Sequence, residues 1–200
     1  ILQDGIEGNV IRVKQDLRMF GRASRNLVGF LSFSNEPFIQ GLSGDEKGAA
    51  QFLNDNGISF RQADKILHYT DLDESEQKKL VSALVAYCFE KKMSAAAISQ
   101  LVGNTYLFIQ EDAHTELFDA YEYSTLMNAC GRHGNPTAGV NVCLKEPNAL
   151  QTAREYLFLH RRLISEGISF AQKNANDFGN YYFVDARGKI DDTVIGTIIG

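Results

Sequence analysis

Two Gly-Arg pairs, Gly21–Arg22 in "DLRMFGR" and Gly131–Arg132 in "NACGRHG", are the residues whose types and spacing best suit chemistry. A guanidinium carries a planar fork of donors that matches phosphate oxygens, and a neighbouring glycine removes bulk that would hold an anion away from the backbone. In the second pair, Gly131 and Gly134 flank Arg132 and His133, so that backbone and cation can approach a ligand together. A plainer role stays open for this stretch: Gly131 ends a helix and Arg132 hydrogen-bonds the last carbonyls of that helix.

Other catalytic templates are absent. The chain holds no GxxxxGK[ST] loop, GxGxxG turn, HExxH helix or GxSxG elbow. Its four histidines, His68, His114, His133 and His160, lie far apart without metal-ligand spacing. His160, beside Arg161 and Arg162 in a helical pattern, reads as a surface or partly buried histidine. Asp191 and Asp192 could bind a cation, but two acids before an apolar run more simply begin a helix. The three cysteines, Cys88, Cys130 and Cys143, show no CxxC spacing and read as reduced, mostly buried thiols. No catalytic residue and no metal ligand is assigned.

The net charge of −5 argues against a chain coated in cations, but the charges are unevenly distributed. Arg12, Lys14, Arg18, Arg22 and Arg25 crowd around one acid, Asp16. No Lys or Arg lies between Lys92 and Arg132, where Glu111, Asp112, Glu116, Asp119 and Glu122 accumulate. Either one basic and one acidic face or two ordinary solvated surfaces would result. No stretch has a signal-peptide pattern, and no apolar run reaches the roughly 20 residues of a membrane helix, so a cytoplasmic protein without membrane contact is expected. The start at "ILQDGIEGNV" without Met and the apolar close at "DDTVIGTIIG" read as a fragment of a longer polypeptide.

The elements that must position these residues form a helix-rich α/β pattern. Val10–Val13 suits a strand and Ala23–Phe33 a short helix. Ser43 and Glu46 have capping-box spacing for a helix over about Asp45–Asn56, ending at Gly57. Asp73 and Glu76 repeat the box before the helix in "QKKLVSALVAYCFEKK", and "SAAAISQLVG" adds a short helix closed by Gly103. Gly103–Asp112 reads as the junction between two parts, followed by a helix over about Thr115–Ala129. Val140–Leu144 suits a strand, and Pro147 opens the longest helix, with Leu150, Ala153, Leu157, Leu163 and Ile164 as its stripe. Tyr181–Val184 suits a strand, Arg187–Lys189 a turn, and Thr193–Ile199 a helix or a buried strand.

Three stretches in order carry a family resemblance: "QDLRMFGRASRNLVGFLSFSNEPFIQGLSGDEKG", "EYSTLMNACGRHGNPTAGVNVCL" and "DDTVIGTIIG". They resemble the archaeal RecJ-like proteins of the Asp-His-His (DHH) phosphoesterase superfamily, which are single-strand-specific nucleases. The resemblance implies an N-terminal α/β domain holding two manganese or magnesium ions, a helical linker, and a small α/β C-terminal domain with a GGH-type motif. This chain has neither an Asp-His-His run nor the GGH-type motif. Residues 1–103 then correspond to the end of the catalytic domain and the helical linker or insert, and residues 104–200 to part of the DHH-associated C-terminal domain. Manganese or magnesium is expected in the full-length protein and no cofactor in this fragment, which should not cleave phosphodiesters alone. By the same resemblance Gly131, Arg132, His133 and Gly134, with Arg22, are the candidate phosphate-binding residues.

Two functions follow. The first is the linker and part of the substrate-binding surface of a metal-dependent exonuclease acting on single-stranded DNA or RNA. The alternative is a non-catalytic replisome module that binds the GINS complex through the acidic segment Glu111–Glu122 or the helix near Glu74–Lys92.

Overall fold

The computed structural model describes residues 1–34 and 37–199; Asn35, Glu36 and Gly200, which fall within the stretches carrying the resemblance, lie outside the described residues. The structure is helix-rich α/β and divides into two compact units, Ile1–Tyr123 and Ser124–Gly200.

In chain order the first unit contains α1 (Leu2–Glu7), β1 (Ile11–Leu17), α2 (Leu27–Ser32), α3 (Glu46–Asp55), the two-residue strands β2 (Arg61–Gln62) and β3 (Lys65–Ile66), α4 (Glu74–Glu90), α5 (Ala95–Leu101) and β4 (Val102–Phe108). The helices close over one apolar core. On α4, Leu80, Leu84 and Cys88 recur at four-residue spacing and are fully buried, against Leu31, Leu42, Leu53 and Leu101 of the same cluster. The α4 start is the expected capping box: Glu76 N–H donates to Asp73 Oδ1 at 2.8 Å and Asp73 N–H to Glu76 Oε2 at 3.0 Å.

The box expected before α3 is built differently. Asp45 caps that helix, accepting from Gly48 N–H at 2.9 Å, while Ser43 Oγ accepts from Ile39 N–H at 2.8 Å and closes the preceding turn. Helix α2 starts later than expected because Gly21–Arg25 is a turn and Asn26 is the cap, accepting from Gly29 N–H at 2.9 Å. The stretch Gly103–Asp112, expected as a junction, holds regular structure. Most of it is β4, paired antiparallel with β1 from Ile11 opposite Phe108 to Leu17 opposite Val102. A Cβ at Gly103 would stand 2.6 Å from Cδ of the exposed Arg18 side chain.

Helix α6 (Ala120–Arg132) begins in the first unit and ends in the second. The second unit continues with α7 (Pro136–Cys143), α8 (Ala149–Asn174), β5 (Asn176–Asp177), β6 (Tyr182–Phe183) and α9 (Asp192–Ile199). The expected strand over Val140–Leu144 is therefore helix. Asn135 accepts from Ala138 N–H at 3.2 Å and Pro136 occupies the first turn, so a cap and a pre-set φ override the β-branched valines. The buried residues of α7 are Ala138, Gly139 and Val142, a helical face. Gly167 of α8 admits α9 closely: a Cβ would meet Ile198 Cδ1 at 2.2 Å. No helix among the described residues is long and apolar enough to cross a membrane.

Candidate phosphate-binding site

The two Gly-Arg pairs have opposite environments. In the first unit Gly21 adopts φ +93° and turns the chain so that Arg22 points inward, 2% exposed. Its guanidinium bonds Asp119 and lies 3.3 Å from Asp16. Tyr69 donates its hydroxyl to Asp16; burial first, and then that carboxylate, push the phenol pKa far up. Glu122 sits beneath the same turn, accepting from Ala23 N–H at 2.7 Å, from Ser24 N–H at 3.2 Å and from the Ser24 hydroxyl. Burial raises the Glu122 pKa against these hydrogen bonds. The guanidinium thus meets internal carboxylates and lies 6.0 Å from the centre of the Tyr69 ring, so Arg22 is engaged inside the first unit. The acids expected to form a surface behave likewise: Glu116, Asp119 and Glu122 are buried.

The second pair lies at the end of α6 in the second unit. Gly134, with φ +77°, terminates the helix, its N–H donating to Gly131 O at 3.2 Å and the Asn135 N–H to Cys130 O at 3.0 Å. This is a Schellman arrangement with Gly134 at the left-handed position. Gly131 is consequently a residue of the last helical turn, where glycine costs at most about 0.5–1 kcal/mol relative to alanine. Nothing within 4 Å would meet a Cβ at Gly131 or Gly134, so neither glycine serves packing inside the chain.

Arg132 is exposed between them, with Nη1 donating to Thr193 O of α9 at 3.0 Å. It leaves the carbonyls of its own helix to the Gly134 turn. His133 is half-buried, its Nε2 3.2 Å from His160 Nδ1 on α8. Burial, then the charges of His133, Arg132 and Arg161, lower the His160 pKa. Asp191 accepts from Thr193 N–H at 2.9 Å and from the Thr193 hydroxyl at 2.5 Å, and these bonds, with a smaller contribution from His133, lower its pKa. Beside Asn135 a cavity of about 250 Å³ opens, lined by Thr137, Asn141, Glu146 and Thr152 among others.

The structure thus gathers Gly131, Arg132, His133 and Gly134 in one corner and places Arg22 in a different setting. Sequence reading missed His160 and Asp191 as neighbours of His133. The signal for His160 was present: Ala153, Leu157 and His160 lie at helical spacing, and all three are buried on α8. Among the described residues no group of three or more His, Cys, Asp or Glu is placed to hold a metal ion. The residues present do not fit a two-metal centre, and no hydrolytic step runs through them.

Residues 19–102 match the family described as the DHH-CID domain. Over 191 residues the chain is 25% identical to the uncharacterized protein MJ0831 of Methanocaldococcus jannaschii, a match covering 95% of this chain and 39% of that relative. The chain accordingly spans well under half of the relative's length. Residues 19–102 are thereby similar to a domain of the DHH family. The domain match includes Arg22 and its turn; Arg132 and His133 lie outside it.

Proposed function

We propose that this chain holds the phosphate backbone of a single-stranded nucleic acid on behalf of a metal-dependent exonuclease of the archaeal RecJ-like kind. In this reading manganese or magnesium is held by residues outside 1–200, residues 1–103 supply the end of the catalytic domain and the linker, and residues 104–200 part of the DHH-associated domain. The observation that carries it is Arg132, exposed between two glycines whose missing side chains fill no space inside the chain. A phosphate approaching there meets a guanidinium and an imidazole together, and a charge-assisted bond of that kind contributes about 1.5–3 kcal/mol. Cytoplasmic location belongs to the same proposal.

Titration of a short, fluorescein-labelled, 5′-phosphorylated oligodeoxynucleotide by anisotropy at rising salt tests it. Binding that weakens with salt is expected. Absent binding at low salt, or binding indifferent to salt, would overturn the reading. The scaffold alternative keeps one surface, the outer face of α4, where Phe89 is 61% exposed beside Glu90 and Lys91. Capture of purified GINS complex by wild type but not by Phe89→Ser would favour it.

A further inference from the structure

We infer that His160 is a positioning residue for His133: it accepts the Nε2 proton of His133 through its own Nδ1 and so turns the other nitrogen of His133, Nδ1, into the group that meets the phosphate beside Arg132. The inference rests on the phosphate reading and deepens it by making anion binding depend on a proton.

The geometry requires one shared proton. The two ring nitrogens face each other at 3.2 Å, a separation that serves a hydrogen bond when one nitrogen carries hydrogen and the other a lone pair. Two assignments are possible while both rings are neutral. They differ once one ring is charged, because a cationic ring has hydrogen on both nitrogens and must be the donor. The surroundings decide which ring takes the charge. His160 is 9% exposed on α8, and burial together with Arg132 and Arg161 disfavours its cation. His133 is half-buried at the helix end and has the carboxylate of Asp191, the residue before α9, in its field. The charged groups around the pair are thus Arg132 from α6, Arg161 from α8, and Asp191 just before α9, with Asp192 hydrogen-bonded to Asp191. Burial and two cations repel a proton from the His160 ring. His160 is the acceptor.

With Nε2 committed to His160, a second proton on His133 goes to Nδ1. The corner then offers a phosphate the Arg132 guanidinium and an imidazolium N–H on adjacent residues. Phosphate affinity rises when both nitrogens of His133 carry hydrogen. The rise depends on His160 remaining neutral.

Two substitutions separate positioning from packing. His160→Asn retains an acceptor near the place of Nδ1, whereas His160→Phe retains bulk and removes the acceptor. Long-range ¹H–¹⁵N spectra of the imidazoles, recorded without any anion, read the tautomer directly; His133 protonated at Nε2 is expected. Affinity for the 5′-phosphorylated oligonucleotide is then measured between pH 5.5 and 8 in wild type and both variants. The expected result is affinity that climbs toward low pH in wild type and His160→Asn. In His160→Phe, where nothing orients the His133 ring, the climb is flattened and binding at the acid end is about tenfold weaker. Wild-type binding and pH profile in His160→Phe, with only the melting temperature lowered, would overturn the inference and leave the phosphate reading intact. A His133 whose Nε2 is the unprotonated acceptor would overturn it too. No binding by wild type at any pH would overturn the phosphate reading and this inference together.

Discussion

Gly131→Ala should raise stability and lower ligand affinity at once. Gly131 lies in the last turn of α6, three residues before the left-handed Gly134, and a Cβ there meets nothing within 4 Å. The added methyl costs no packing inside the chain and removes the entropic penalty of glycine in a helix, at most about 0.5–1 kcal/mol. For a chain of this size that corresponds to a melting temperature higher by at most about 1–4 °C. If the open space beside Arg132 is there for a phosphate, the same methyl stands in its path and lengthens the bond to the guanidinium. Loss of one charge-assisted bond weakens binding of a phosphorylated single strand by about tenfold. Differential scanning calorimetry and fluorescence anisotropy on the same preparation give both numbers. Increased stability with unchanged affinity would refute the argument that Gly131 is kept open for a ligand. A lowered melting temperature would refute the geometry beneath it.

Arg22→Ala should lower stability by about 3–5 kcal/mol in urea denaturation, because it leaves Asp119 buried without its cation and Asp16 with only the partly exposed Lys14, 3.2 Å away; oligonucleotide affinity of the folded fraction should stay within twofold of wild type. Asp71 has its pKa held at about 2, against burial, by Lys65, the His68 N–H and His114. Its folded pKa is below the ordinary 3.8, so the stability it contributes is present above about 3.8 and is lost as the pH falls toward 2. Asp71→Asn should accordingly destabilise the chain at pH 6 and make little difference at pH 2, read by circular dichroism. Residues 1–200 alone should not hydrolyse labelled single strands with manganese or magnesium, since no group of three ligands is assembled among the described residues; cleavage that survives repurification would contradict this.

Local rules were legible where a signal acts within a few residues. The Asp73–Glu76 box and the Leu80–Leu84–Cys88 stripe fix α4 without reference to the remaining chain. The same kind of rule misled at Ser43, where Asp45 offers a better-placed carboxylate and the serine hydroxyl is drawn to Ile39 N–H. Val140 and Val142 suggested a strand by type, but the cap at Asn135 and the proline after it select helix. Long-range pairing was invisible. Nothing near Gly103 announces that it lies opposite Asp16 of β1, so a paired strand read as a junction. The site was legible in part for the same reason. The contiguous stretch Gly131–Gly134 stands out in one dimension, whereas the acids that bury Arg22 and the histidine that faces His133 arrive from distant segments.

Arg132 carries the central claim, and the measurement that tests it most directly is the affinity of wild type, Arg132→Ala and Arg132→Lys for the 5′-phosphorylated oligonucleotide, paired with melting temperatures. The guanidinium touches only a main-chain carbonyl of α9 among its described hydrogen bonds, so its removal should change the melting temperature little. The account predicts a ten- to hundred-fold loss of affinity in Arg132→Ala, corresponding to about 1.5–3 kcal/mol, and partial recovery in Arg132→Lys, which keeps the charge without the planar fork. Unchanged affinity in Arg132→Ala with a lowered melting temperature would contradict it and make the residue a tie between helices.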